Sequence, residues 1–308
     1  MDSITFHSSG KLLITGEYVV IDGAKALCLP TKKGQSITIS KNDSGILKWT
    51  SLAPDGTPWL TAEINIKDWS IISCSNQQQT EYLIFVLKTA LSFNINSIDK
   101  LSSGANITTQ LDFPMDWGLG SSSTFLCNVA KWLDVDPFEL HFKVSNGSGY
   151  DIAVGMNNQS LLYDIHNNIP SIKPVEFTPS FSEQLYFIHL NQKQVSSKEV
   201  EGYSERKKAI PLSEIINVIT KLTNDILKCE TIGKFEELLS LHEELISHVL
   251  GRKPIKHELF PDYSAGIVKS LGAWGGDFVL ASARHHSDIE YFKSKGFSTI
   301  VPFSEMIS

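Results

Sequence analysis

A loop rich in glycine and serine, in the middle of the chain, most constrains how this sequence can fold. It reads Asp116-Trp117-Gly118-Leu119-Gly120-Ser121-Ser122-Ser123-Thr124. An apolar, helix-compatible run follows it at 125–133. Two glycines let the backbone turn its amide groups inward, and the free N–H groups of a helix start point to the same place. Such a cradle binds an anion, most often a phosphate, although Gly-Leu-Gly-Ser also occurs in ordinary strand-to-helix turns.

Composition excludes several classes of function. The chain has 308 residues, 42% of them hydrophobic, which is enough for two domains or one large one. Its net charge of −7 argues against nucleic-acid and anionic-membrane partners. The four cysteines are far apart and form no Cys-x-x-Cys, so the sequence indicates neither a zinc site nor a disulfide framework. The chain opens without a signal-peptide pattern, and we expect a cytoplasmic protein.

The pattern of apolar residues predicts a mixture of strands and helices without a repeat. Strands are expected at 11–21, 35–40, 46–50, 105–111, 184–190 and 300–303, with two short ones around 161 and 175. Helices are expected at 80–92, 125–133, 212–229 and 234–250. The chain changes from mixed strands and helices to mainly helices in its last third. This change predicts a domain boundary near 175–185, with domains at 1–178 and 179–308.

Two other segments each place one charged residue among small and apolar, strand-forming residues. They are centred on Lys11 and on Asp151. A charge in such a setting is costly unless it is paired. One interpretation is a salt bridge that holds two strands together. The other is phosphoryl transfer, in which the aspartate orients or deprotonates a hydroxyl and the lysine stabilises the developing negative charge.

Three segments, taken in order, resemble the motifs of the GHMP kinase superfamily, named for galactokinase, homoserine, mevalonate and phosphomevalonate kinases. Gly10-Lys11 through Gly16-Glu17-Tyr18 is similar to the first motif, and Gly118 to Ser123 is similar to the second. Gly272-Ala273-Trp274-Gly275-Gly276-Asp277 is similar to the third. The chain also resembles a bacterial subgroup with the signature Gly-Tyr-Asp-Ile-Ala, here at 149–153.

The resemblance implies an α+β fold with two GHMP kinase domains. The N-terminal one would be like ribosomal protein S5 domain 2, and the C-terminal one would be ferredoxin-like. ATP and Mg²⁺ are the implied cofactors. The ATP phosphates would be held by Gly118, Leu119, Gly120, Ser121, Ser122 and Ser123.

The resemblance also assigns roles around the phosphates. Asp151 would be the catalytic base and Lys11 its cationic partner. Glu17, Tyr18, Gly275 and Gly276 would lie near the substrate. Magnesium would be bound by the Ser122 hydroxyl, with Glu139 as a second candidate ligand that is equally interpretable as an exposed helix residue.

The implied activity is an ATP-dependent kinase of isoprenoid biosynthesis that acts, as a monomer or homodimer, on mevalonate or phosphomevalonate. Lys207 and Lys208 could meet a substrate phosphate, or they could form a solvated surface. Trp274 stands where the family has glycine, and the interval from Gly120 to Asp151 is short. These departures motivate one alternative, a nucleotide-binding regulatory module without turnover. Another alternative keeps the fold and changes the chemistry, as a diphosphomevalonate decarboxylase-like enzyme.

Overall fold

The computed structural model describes residues 3–192 and 196–308, which form an α+β structure. Contacts divide the chain into two compact units. Unit 1 contains the residues up to Gly10, Lys33–Met115 and Leu119–Met156. Unit 2 contains Lys11–Lys32, Asp116–Gly118 and Asn157–Ser308. Since each unit is assembled from separate stretches of sequence, the domains at 1–178 and 179–308 stay a prediction.

Unit 1 is built on a mixed sheet. Its strands are β1 (Ser3–Leu13), β2 (Ala26–Lys41), β3 (Ile46–Leu52), β4 (Pro58–Asn65), β5 (Ile71–Cys74) and β6 (Ala105–Leu111), of which β1 and β2 continue into unit 2. The strand order is β5-β4-β3-β6-β2. Strands β3 and β6 are parallel, whereas β6 is antiparallel to β2. Residues of β6 alternate between buried and more exposed positions, as the sequence predicts for a half-buried strand.

The helices of unit 1 bury apolar residues against this sheet. They are α1 (Gln77–Phe93), α2 (Ser121–Leu133), α3 (Pro137–Val144) and α4 (Tyr150–Asn157). Asn76 is the N-cap of α1, and its side chain accepts a hydrogen bond from the Gln79 N–H. The core includes Ile37 and Trp49 from the sheet and Leu87 and Leu126 from the helices.

The first two strands that lie wholly in unit 2 form a hairpin. Strands β7 (Leu161–His166) and β8 (Ile169–Pro174) are antiparallel. They are joined by Asn167 and Asn168, whose φ angles of 52° and 59° are those of a type I′ turn. The N-terminal part of β2 pairs with β7.

The rest of unit 2 is a small antiparallel sheet with helices. Its strands are β9 (Leu185–His189), β10 (Val268–Ser270), β11 (Phe278–Ser282) and β12 (Ile300–Pro302), in the order β10-β11-β9-β12. The helices are α5 (Ser196–Arg206), α6 (Leu212–Ile226), α7 (Ile232–Leu250), α8 (Ile255–Leu259), α9 (Glu290–Ser294) and α10 (Phe303–Met306). Within residues 3–192 and 196–308, every helix is too short or too polar to cross a lipid bilayer.

Most predicted elements are confirmed, but the first strand is shorter than predicted. The expected strand at 11–21 ends at Leu13. Gly16 (φ 88°) and Tyr18 (φ 62°) then turn the chain into a short 3-10 helix, Val19–Asp22. The apolar residues of this stretch are buried because the turn is packed inside unit 2, not because it is extended.

The segment around Asp151 is also not a strand. Asp151 lies in the first turn of α4. The interpretation of Lys11 and Asp151 as a salt bridge that joins two strands is therefore wrong. Position 155 of this segment requires a small residue, because a Cβ added to Gly155 would lie 2.9 Å from the Cys127 Sγ of α2.

We predict that Gly155→Ala destabilises the protein by about 1–3 kcal/mol, because the new methyl group overpacks the contact between α2 and α4. Chemical denaturation measures the loss. The matched control is the same substitution in a Cys127→Ala background, where it should be neutral or stabilising, since alanine is the better helix former. An equal loss in both backgrounds would show that the close approach of the two helices is not its cause.

Candidate functional site

Gly118 is the residue at which the three sequence motifs meet within unit 2. The Lys11 Nζ donates a hydrogen bond to the Gly118 carbonyl at 3.0 Å. The Asp277 side chain lies so close that a Cβ added to Gly118 would overlap its carboxylate. Gly118 has a φ of 65°, which glycine adopts without strain. Position 118 thus requires glycine twice, for its backbone conformation and for the approach of Asp277.

The start of the loop is fixed by the small sheet of unit 2. The His189 Nδ1 accepts from the Asn191 N–H at 3.3 Å, which leaves the proton on Nε2. His189 Nε2 therefore donates to the Asp116 carbonyl at 3.1 Å. Trp117 packs edge-on against Phe278, with ring centroids 5.3 Å apart. These contacts attach residues 116–118 to β9 and β11.

The remainder of the loop belongs to unit 1 and begins a helix. Leu119 is buried, and Gly120 (φ 93°) is the N-cap of the 13-residue α2. The Ser123 hydroxyl is buried and donates to the Gly120 carbonyl at 2.9 Å. Ser121 is half-buried and Ser122 is exposed. Two hydroxyls are thus presented at a helix N-terminus, whose dipole and free N–H groups favour an anion.

Asp151 lies in the same unit as α2. Its Oδ1 accepts from the Ile152 N–H at 3.0 Å, and the residue is half-buried. The Cys127 thiol of α2 donates to the Ile152 carbonyl at 3.7 Å, which holds α4 beside α2. Burial raises the pKa of Cys127 to about 12, and the nearby negative charge of Asp151 adds to this effect. Asp151 is therefore placed along the helix that carries Ser121 and Ser122.

Glu139 is not brought to Ser122. It is exposed in the first turn of α3, where its N–H bonds to the Asp136 side chain. Ser122 is in the first turn of α2, whereas α3 follows the far end of α2, about 16 Å along the axis. Among the residues that the structure describes, no group of three or more His, Cys, Asp or Glu side chains could hold a metal ion. The role of Glu139 as a metal ligand stays a prediction that this geometry does not support.

Glu17 is buried in a network of charged side chains in unit 2. It forms an ion pair with Lys269 of β10, and both side chains are almost completely buried. The His242 Nε2 accepts from the Gly16 N–H at 2.9 Å and lies 3.4 Å from the Glu17 carboxylate. Glu243 is also buried, and one of its oxygens accepts from the Ser270 N–H at 3.2 Å. The network fixes the turn after β1, so the geometry gives Glu17 a positioning role and no surface for a substrate.

Burial perturbs the ionisation of this network. It raises the pKa of Glu17 from 4.5 to about 7, although the Lys269 ammonium acts in the opposite direction. It also raises the pKa of Glu243 and lowers that of His242 well below its ordinary value. Because His242 Nε2 accepts a hydrogen bond, the imidazole is neutral and carries its proton on Nδ1. Among the residues that the structure describes, the network therefore combines two acidic groups with one cation, Lys269.

Tyr18 connects the first motif to the third. Its hydroxyl accepts from the Trp274 N–H at 3.0 Å, and it lies 3.5 Å from Glu199, which pairs with Arg252. The Trp274 indole is 2% exposed, so the tryptophan in the third motif fills a gap inside unit 2. Gly275 (φ 90°) and Gly276 lie in the loop between β10 and β11 that ends at Asp277.

Sequence reasoning missed several of these residues. His242 falls in the apolar stripe of α7, which could have identified it as a buried residue; the other buried members are Phe235, Leu238, Leu239, Glu243, Ile246, Val249 and Leu250. Lys269 lies between the buried Val268 and Ser270 in a short strand, which could have indicated a buried charge. No local signal identifies Glu17 as the partner of Lys269, since 252 residues separate them.

Comparisons with known proteins find relatives at low identity. No family model matches the chain. A mevalonate kinase of Schizosaccharomyces pombe is 22% identical, with 94% of this chain and 85% of that protein covered. The structure of L. major mevalonate kinase with R-mevalonate aligns at a TM-score of 0.67 and 16% identity, covering 96% of this chain and 94% of that one.

A second solved structure is similar. Streptococcus pneumoniae phosphomevalonate kinase, in complex with phosphomevalonate and AMPPNP, aligns at a TM-score of 0.70 and 16% identity, covering 96% of each chain. Since these alignments span almost the whole chain, the α+β fold expected from the three motifs is confirmed.

We predict that Glu17 makes the free energy of unfolding fall as the pH rises from 5 to 8. The folded state holds a proton at Glu17 that the unfolded chain has already released above its ordinary pKa of 4.5, so stability is lost as pH rises toward the folded pKa of about 7. Urea denaturation at each pH measures this free energy. Between pH 5 and 8 it should fall by on the order of 2 kcal/mol more in the wild type than in Glu17→Gln.

The comparison with Glu17→Gln isolates this group. His242 and Glu243 are present in both proteins, so their effects on the pH dependence of stability cancel in the comparison. The lowered pKa of His242 by itself makes the free energy of unfolding rise with pH, which is opposite to the effect of Glu17. Parallel stability curves for the two proteins between pH 5 and 8 would contradict the assignment.

Proposed function

We infer that this protein, which has the fold of the GHMP kinases, is an ATP-dependent phosphotransferase. The observation that carries the proposal is the convergence on Gly118, where Lys11 of the first motif and Asp277 of the third contact the first glycine of the second. The mevalonate kinase relative supports the same activity, because it aligns with nearly the whole chain.

The loop after Gly118 fits the phosphates of ATP. Gly118 and Gly120 both adopt positive φ, and α2 starts directly after them. We propose that the backbone N–H groups here, with the Ser121 and Ser122 hydroxyls, bind the β- and γ-phosphates. Leu119 and Ser123 are buried and serve to hold the loop in shape.

The exposed Ser122 hydroxyl also fits a magnesium ion. Mg²⁺ prefers oxygen ligands, and it is usually bound by few protein groups together with water and substrate phosphates. When bound there, the ion would neutralise phosphate charge.

We propose that Asp151 and Lys11 act on the transfer itself. Asp151 orients the acceptor hydroxyl and takes its proton as the hydroxyl oxygen bonds to the γ-phosphorus and the bond to the β–γ bridging oxygen breaks. Lys11, whose ammonium is held at the Gly118 carbonyl, stabilises the negative charge that develops on the phosphoryl oxygens. Positioning and charge neutralisation supply the rate, without a phospho-enzyme.

The acceptor that the contacts favour is mevalonate, with phosphomevalonate as the second candidate. Lys207 pairs with Asp22 at 2.6 Å, and Lys208 pairs with Glu205 at 3.1 Å. These lysines, which could have met a substrate phosphate, are engaged by carboxylates of unit 2. This engagement supports an acceptor whose only anionic group is a carboxylate. The mevalonate kinase relative supports a place for the protein in isoprenoid biosynthesis.

A substrate panel tests the function. ADP release is measured with ATP, Mg²⁺ and either mevalonate, phosphomevalonate, diphosphomevalonate or a sugar, and the phosphorylated product is identified by mass spectrometry. We expect mevalonate to give the highest kcat/KM. Nucleotide binding without turnover on any acceptor would instead indicate a regulatory module, and release of carbon dioxide from diphosphomevalonate would indicate a decarboxylase.

We predict that Asp151→Asn lowers kcat by at least about a hundredfold, because a positioned base contributes on that scale. The affinity for ATP should stay nearly unchanged, since Asp151 lies outside the loop. Steady-state kinetics and nucleotide titration measure the two quantities. Equal activity in the variant would remove Asp151 from the chemistry.

We predict that Ser122→Ala raises the Mg²⁺ concentration needed for half-maximal activity, because it removes the proposed metal ligand. Ser123→Ala is the matched control, since that hydroxyl is bonded to Gly120 and should affect folding stability more than metal dependence. An unchanged metal requirement in Ser122→Ala would place the hydroxyl ligand elsewhere.

A further inference from the structure

Helix α1 and the residues that directly follow it expose a concentration of apolar side chains. Eleven large hydrophobic residues are exposed in the described residues, and five of them fall within 82–98, namely Tyr82, Phe85, Phe93, Ile95 and Ile98. Contiguous exposed apolar patches are uncommon on monomeric proteins and mark interaction surfaces. We call the exposed side of α1, with Glu81, Tyr82, Phe85, Lys88 and Ser92, the α1 face.

The α1 face has the spacing of a helix-pairing seam. Its residues recur at intervals of three and four, as in the contact positions of paired helices. Positions on the opposite side of the helix, including Leu83, Val86, Leu87 and Ala90, are buried in the core of unit 1. The fold of unit 1 therefore uses one side of α1, and the side with Phe85 at 47% exposure is left for another partner.

The charges on the α1 face are self-complementary. Glu81 precedes Phe85 by four residues and Lys88 follows it by three, which are axial offsets of about 6 Å and about 4.5 Å. A two-fold axis at Phe85, perpendicular to α1, would place Glu81 of each copy beside Lys88 of the other, since such an interface repeats every contact twice. Among the residues that the structure describes, no carboxylate forms an ion pair with Lys88 within the monomer.

We propose that the α1 face is the interface of a homodimer in which the two α1 helices pack antiparallel around Phe85. A shallow groove lined by Ile84, Phe85, Lys88 and Thr89 receives the Phe85 ring of the second copy. A parallel arrangement would set Glu81 against Glu81 and Lys88 against Lys88, which is unfavourable.

The residues on either side of α1 extend the same interface. Ile72 of β5 precedes the helix and is 53% exposed, whereas Ile95 and Ile98 follow it. Antiparallel packing brings the segment before α1 in one copy toward the segment after α1 in the other. The apolar ends of the two copies are thereby covered together, which adds buried area beyond the helix pair.

Sedimentation equilibrium and light scattering test the proposal on the full chain. We expect the wild type to be a dimer and Phe85→Arg to be a monomer. Glu81→Lys and Lys88→Glu should each weaken dimerisation by at least about tenfold, because each reversal puts like charges together twice. The double variant should restore it, since both pairs re-form with reversed polarity.

Lys221→Glu is the matched control, because it makes the same charge change at an exposed helical lysine of unit 2 and should leave the dimer intact. Circular dichroism and ADP release should be unchanged in every variant that stays folded, as the α1 face contains none of the proposed catalytic residues. A monomeric wild type up to the hundred-micromolar range, a dimer that survives Phe85→Arg, or a double reversal that restores nothing would each overturn the proposal.

Discussion

The backbone of Gly118 is the constraint on which the candidate site depends. Its left-handed conformation is one that glycine adopts without strain, and the missing side chain lets the Asp277 carboxylate approach. Lys11 then bonds to the carbonyl of the same residue. A methyl group at 118 would conflict with both the φ angle and Asp277, so the cation, the acidic residue and the loop are fixed by one position.

A second constraint is the buried ion pair of Glu17 and Lys269. Burying these charges costs free energy, and the raised pKa of Glu17, about 7, reflects that cost. In return, the network holds the turn at Gly16 against α7 and β10, and through it the end of the strand that carries Lys11. The glutamate of the first motif thus acts in this structure by positioning backbone, while the lysine of that motif remains at the loop.

Helix α2 contributes both to the candidate site and to the core of unit 1. Its N-terminus presents Ser121 and Ser122, whereas Leu126 and Leu133 belong to the core. The close contact of Gly155 with Cys127 places α4, and therefore Asp151, alongside it. The small and apolar residues of this segment are also compatible with a strand. The segment is instead a helix, and Asp151 lies in its first turn. Gly155, one of these small residues, permits the tight packing of α4 on α2.

The sequence by itself determined the local elements and the three motifs. Alternation identifies β6, helical periodicity identifies α6 and α7, and the glycine spacing identifies the loop before α2, because each of these signals depends only on near neighbours. Tertiary structure alone decided the rest. The turn at Gly16, the pairing of Glu17 with Lys269 and the contact of Asp277 with Gly118 join residues more than a hundred positions apart, and their burial overrides the strand-like pattern of 11–21. Long-range packing, which no window of sequence contains, therefore set which motif residue faces the loop and which is buried.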